Sequence, residues 1–161
     1  MASIPGAADA PATYHTSPFR RVLVGWDASD DAVAALRAAA ALVGNSAGRV
    51  VALAVLPVAA SAEDPGTGES ADALAIRDTF EQAKAALMLS SATRISLHVA
   101  RGRHVARSIC GYATEHCFDL IVLGRHGEGS LLSDGLGRVA ESAARASHIP
   151  VLLLGSPAPA G

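Results

Sequence analysis

Between Arg21 and Leu154 the chain alternates short runs rich in Val, Leu and Ile with alanine-rich stretches of helical spacing. This alternation is the mark of βαβ units. Runs such as Val22-Leu23-Val24 and Ile121-Val122-Leu123 are apolar at every position rather than at every second one, so both faces of each strand must be covered. The expected fold is α/β, an open doubly wound parallel sheet with helices on both faces.

The first strand covers residues 21–26. Ser29 follows as a helix cap, with Asp30 and Asp31 in the first turn, where carboxylates suit the helix dipole. That helix runs to about Val43 and stops at Gly44-Asn45. Residues 50–55 form a second strand closed by Pro57, and 59–69 read as a loop from their Pro, Gly, Ser and Asp content. A helix is expected over 70–90, its apolar stripe marked by Leu74, Phe80, Ala83 and Leu87. A third strand over 94–100 leads through Gly102 to a helix over 105–117. A fourth strand over 119–123, a last helix over 135–147 and a fifth strand over 150–154 complete the pattern. With 50% hydrophobic but only 4% aromatic residues in 161, an aliphatic core and a single domain are expected. Residues 1–18 lack any apolar period and read as a flexible tail; the domain spans 19–156, and 157–161 form a short C-terminal tail.

A formal charge of −2 gives no broad basic field for nucleic acid or anionic lipid. No apolar stretch reaches the roughly 20 residues of a spanning helix, and no charged n-region precedes an apolar core at the amino terminus. The expected setting is the cytoplasm, without nucleic acid or membrane as partner. Cys110 and Cys117 are seven residues apart, two turns along one helix face, too far for a disulfide within it. No C-x-x-C pair anchors a metal site, so small buried thiols are the simpler expectation and no metal is required.

In such a sheet the ligand crevice lies beyond the carboxyl ends of the strands, where strand order reverses. Two segments sit at such ends, Gly25-Trp26-Asp27 after strand one and Gly124-Arg125-His126-Gly127 after strand four. If those strands pair, loop amides and the start of the last helix face an anion while Asp27 faces a sugar or base. Each residue also has a plainer reading. Asp27 suits a turn, Trp26 suits packing, and the glycines suit a tight loop whether or not a ligand is present. His126 has no relay partner by spacing and is expected to face solvent. Arg101, Arg103 and His104 approach phosphates across the crevice or simply start a solvated helix.

Val22-Leu23-Val24-Gly25-Trp26-Asp27-Ala28-Ser29, Gly124-x2-Gly127-x9-Gly137 and the closing Ile149-Pro150-Val151-Leu152-Leu153 together resemble the universal stress proteins over residues 20–155. The resemblance implies strand order 3-2-1-4-5, a homodimer paired through the last strands, and neither a transmembrane part nor a metal. It also implies a site for ATP or a related adenine nucleotide. Asp27, next to Trp26, matches the acidic residue at the adenosine end, and Val55 matches the strand-two residue whose main chain reads the adenine edge. Gly124 and Gly127 match the phosphate-loop backbone. Gly137 matches the glycine that opens the last helix, with Arg138 and Val139 following at the phosphate end. Here the sequence departs from ATP-binding members, which carry Ser or Thr after that glycine and commonly a hydroxyl two positions on. Arg138 and Ala140 stand there instead.

Two hydroxyl–phosphate bonds lost at about 1.5–3 kcal/mol each lower affinity by 10²-fold or more. Arg138 either restores that with a forked guanidinium or fills the volume of a γ-phosphate, in which case a monophosphate or cyclic nucleotide fits better. Glu128 and Asp134 add negative charge to the same loop. The expected function is a regulatory module that binds an adenine nucleotide, with a nucleotide-free dimer acting through protein partners as the alternative. Enzymatic use is not expected: there is no Gly-x4-Gly-Lys-Ser/Thr loop, and the only lysine, Lys84, is on the second helix.

Overall fold

The computed structural model describes residues 17–44, 47–58, 70–89, 94–127 and 135–155. The tail expected before residue 17, the loop over 59–69, Asn45, Ser90, Glu128, Asp134 and the C-terminal tail lie outside the described residues.

The elements are β1 (Arg21–Gly25), α1 (Asp30–Val43), β2 (Arg49–Pro57), α2 (Ala71–Ala86), β3 (Arg94–Gly102), α3 (Val105–Glu115), β4 (Leu120–Gly124), α4 (Arg138–Ala146) and β5 (Val151–Leu154). The strands form one parallel sheet in the order β3-β2-β1-β4-β5, as expected. Successive residues of the central strands point to opposite faces, and each set finds its own cover. Val22, Val24, Val50, Ala52 and Val122 pack with Leu36, Val43 and Phe80 beneath α1 and α2. Leu23, Val51, Leu53, Ile121 and Leu123 pack with Ile109, Ala113 and Ala143 beneath α3 and α4. This two-sided burial is why β1, β2 and β4 carry almost no polar residue.

Several boundaries move from where composition alone put them. α4 begins at Arg138, not at residue 135, because Gly137 is its N-cap with extended backbone. α2 ends at Ala86, and of its expected stripe Leu74 is 49% exposed whereas Phe80 is fully buried. Leu74 lies about one turn from the helix start, whereas Phe80 packs into the core beside Trp26. α3 ends at Glu115, so Cys117 falls outside it, exposed and with φ of 54°, while Cys110 is half-buried. The buried-thiol expectation fails for Cys117, and burial raises the Cys110 thiol pKa, partly offset by its hydrogen bond with Ser147. β2, β3 and β4 extend one or more residues past their expected ends because parallel pairing continues through Pro57↔Gly102 and Gly124↔Leu154.

Candidate functional site

β1 and β4 are neighbours, yet the connections that leave them turn to opposite faces of the sheet, and the gap between them opens at their carboxyl ends. There a crevice of about 730 Å³ is bounded by the turn after β1, the end of β2, the start of α3, the loop after β4 and the start of α4. That volume is within the roughly 300–1,000 Å³ of small-molecule sites. Trp26, Asp27, Val55 and Gly124 line it, and so do Gly127, Gly137, Arg138 and Val139. Arg101, Arg103 and His104 do not; they remain exposed at the mouth of β3 and the start of α3.

The turn after β1 is tied to the helix that follows. Asp27 Oδ1 accepts from the Ser29 hydroxyl at 2.6 Å and from the Ser29 backbone N–H at 3.0 Å, and Ser29 Oγ accepts from Ala32 N–H at 3.1 Å to cap α1. Asp27 is therefore both turn residue and crevice wall, and between it and Ser29, Ala28 is held at φ of 64°. Trp26 contributes differently from a stacking platform. Its indole is 5% exposed and meets Phe80 edge-on at 5.4 Å, and its backbone N–H bonds to Leu53. Packing was the plainer reading of this residue, and its indole lies in the core. Its Nε1 has no hydrogen-bond partner among the described residues.

Across the crevice, the glycines permit close approach of backbone. A Cβ on Gly124 would lie 2.7 Å from Asp31 Cβ and 3.0 Å from the Asp31 carbonyl carbon, in the first turn of α1. A Cβ on Gly127 would lie 2.9 Å from Asp27 Oδ2, so the loop packs directly against the acidic turn. Gly137 N–H donates to the Arg125 carbonyl at 2.7 Å, which folds the start of α4 back onto the loop. α4 has no side-chain cap, and its first residues Arg138, Val139 and Ala140 line the crevice, where uncapped helix amides suit an anion. Arg125 and Arg138 line the same end, exposed and with no carboxylate partner among the described residues.

Two residues at this end were not singled out as binders from the sequence. Arg125 sits between the glycines, its stem alongside Gly155 at the end of β5. His126, expected in solvent, is instead held between α1 and the far side of the loop, with its side chain only 25% exposed. Its contact with Asp31 joins residues 95 positions apart, which no local spacing reveals. Among the described residues no group of three or more His, Cys, Asp or Glu is placed to hold a metal ion, and no helix is long and apolar enough to cross a membrane.

A parallel sheet that reverses strand order at β1 and β4, with its crevice at that reversal, defines a doubly wound α/β protein with a switch-point site. The chain belongs to the Universal stress protein family, which it matches over residues 18–155. Similar solved structures include universal stress protein UspA from Lactobacillus plantarum, at 24% identity and a TM-score of 0.68 over 84% of this chain and 97% of that one. A universal stress protein in complex with cAMP is 26% identical, with a TM-score of 0.60 over 84% of this chain and 96% of that one. The universal stress protein from Archaeoglobus fulgidus in complex with dAMP is 19% identical, with a TM-score of 0.62 over 84% and 98%. No curated protein matches the chain.

Proposed function

We propose that this protein is a regulatory module that binds an adenine nucleotide in the crevice at the carboxyl ends of β1 and β4. The observation that carries the reading is the convergence of Asp27, Val55 and the glycine loop on one cavity of about 730 Å³. The nucleotide complexes of two family members support it. In this reading Asp27 takes the ribose hydroxyls, the β2 backbone at Val55 meets the base edge, and the phosphate lies on the amides of Gly127 and the first turn of α4. Trp26 shapes the base end through its backbone rather than by stacking.

Arg138 replaces the hydroxyl at the phosphate end, while Ala140, only 2% exposed, offers no donor there. The exposed guanidiniums of Arg138 and Arg125 then supply charge-assisted bonds to phosphate. ATP remains a member of the ligand set, alongside AMP and cyclic AMP, and the protein acts by changing conformation or partner rather than by turnover. It pairs as a homodimer through the outer edge of β5, a short, half-exposed strand at the end of the sheet, and works in the cytoplasm, which suits two free cysteines.

Calorimetric titration of the purified protein with ATP, AMP and cyclic AMP tests the site. Saturable heat with at least one, weakened about tenfold or more by Arg138→Ala, is expected. No heat and no thermal shift at millimolar concentrations of all three would sink the proposal and leave the nucleotide-free reading. Native mass spectrometry tests the dimer, with a species at twice the 16.2 kDa chain mass expected.

A further inference from the structure

Arginines stand side by side at the amino ends of three adjacent strands, the end of the sheet opposite the crevice. Arg21 of β1 pairs in register with Arg49 of β2, and Arg49 with Arg94 of β3. Register partners share a face of the sheet, and the alternation along each strand says which face it is. Leu23 and Val51, each two positions on, pack on the side of α3 and α4. Ile95 and Leu97 pack on the other side, which leaves Arg94 and His98 on the α3 face as well. The contacts agree: Arg21 Cζ lies 5.6 Å from the centre of the Phe118 ring, and His98 stacks on Tyr112 of α3 at 5.1 Å.

Arg21 serves the fold, since its guanidinium also donates to the His116 carbonyl at the end of α3. Asp119, just before β4, is taken up by the backbone N–H groups of Arg20 and Arg21. Arg49 and Arg94 are exposed and have no carboxylate partner among the described residues. Like charges directly opposite one another destabilise a sheet. Charge on an edge strand keeps sheets from joining, which accounts for Arg94 but not for Arg49 and Arg21 on inner strands. In the free protein the row breaks a local rule without a compensating contact, a departure expected at functional surfaces.

We propose that this arginine row is a docking surface for an acidic, extended segment of a partner protein. Guanidiniums take carboxylates in forks. β3, a strand of nine residues at the edge of the sheet, offers its outer side for backbone pairing. A segment paired there places alternate side chains on the face of the arginine row. A nucleic acid fits less well, because Tyr112 already has His98 and His116 against its ring, at 5.1 and 4.2 Å, and gives bases no open platform. The net charge of −2 also sets up no wide field for a long polyanion. Nor does this chain supply the acids itself: residues 45–46 and 90–93, which lead to Arg49 and Arg94, contain none, and residues 1–16 contain only Asp9. The surface is independent of the nucleotide reading above.

A fluorescent peptide of about eight residues alternating Glu and Thr is the probe, with the matching Gln and Thr peptide as control. In anisotropy titrations at low salt the protein should bind the Glu peptide about tenfold or more tightly than the Gln peptide. Arg49→Gln with Arg94→Gln should weaken that binding about tenfold. The same double variant should melt no lower than the unaltered protein, because removing like charges relieves their repulsion. In NMR the backbone amides of β3 should shift as the Glu peptide is added. No binding of the Glu peptide, equal binding of the two peptides, an unaffected double variant, or shifts confined to the crevice would overturn the proposal. So would a lower melting temperature in the double variant, which makes the row structural. A uridine oligonucleotide bound more tightly than the Glu peptide through the same arginines would overturn it in favour of a nucleic acid.

Discussion

Gly124→Ala and Gly127→Ala separate two roles that a single glycine motif combines. A methyl on Gly124 would sit 2.7 Å from Asp31 Cβ, 3.0 Å from the Asp31 carbonyl carbon and 3.2 Å from the Ala32 nitrogen. Two of those atoms are backbone of the first turn of α1, whose Ala32 is 2% exposed, so no side chain can swing aside. α1 must lift from the end of β4. Overpacking of this kind costs about 1–3 kcal/mol, and each kcal/mol lowers the melting temperature of a domain of this size by roughly 3–5 °C. A fall of about 8 °C follows from the middle of both ranges. At Gly127 the methyl would meet a single atom within reach, Asp27 Oδ2 at 2.9 Å, at the far end of a side chain. The melting temperature should then move by less than about 2 °C. Displacing that carboxylate and the facing amide should instead weaken adenine-nucleotide binding about tenfold. Thermal unfolding with calorimetric titration of AMP and ATP reads both quantities. Equal melting shifts in the two variants, or an unaffected Gly124→Ala protein, would refute the steric assignment.

Further outcomes are expected from other parts of the site. Ser29→Ala removes the cap of α1 and the hydroxyl that holds Asp27, so unfolding should show a loss of about 1 kcal/mol together with weaker nucleotide binding. Phe80→Ala empties the fully buried edge contact with Trp26, costs about 3–5 kcal/mol, and shifts the emission of the chain's one tryptophan. The raised Cys110 thiol stays protonated through neutral pH, so alkylation near pH 8 should modify exposed Cys117 first, with Cys110 catching up only as pH rises or the chain unfolds. Equal labelling rates in the folded protein would contradict that order.

What could be read from the chain depended on whether a residue's surroundings were local. β1, β2 and β4 were legible because burial on both faces leaves an uninterrupted apolar signature in a few consecutive positions. The crevice residues were legible because strand ends in a parallel sheet converge, so Asp27 and Gly124 to Gly127 meet whatever lies between them. The start of α4 was not, since Gly137 serves as N-cap through its extended backbone, and composition cannot tell that from a helix beginning at Gly135. Nor was the position of His126, whose partners are a carboxylate on α1 and a carbonyl on the far side of the loop. Leu74 shares the helical period of Phe80 yet stays exposed, because a period gives a face but not which of its positions a neighbour covers.

The first turn of α1 holds both walls of the crevice. Ser29, its cap, grips Asp27 on one side, while Asp31, two residues on, grips the His126 end of the glycine loop on the other. Neither wall can shift without pulling on the same helix end. α1 has 14 residues and so forms a rod about 21 Å long. Its far end, at Val43 and Gly44, lies toward the side of the sheet opposite the crevice. The hydrogen bonds that hold the two walls thus converge on one end of α1, while its other end emerges on the far side of the sheet.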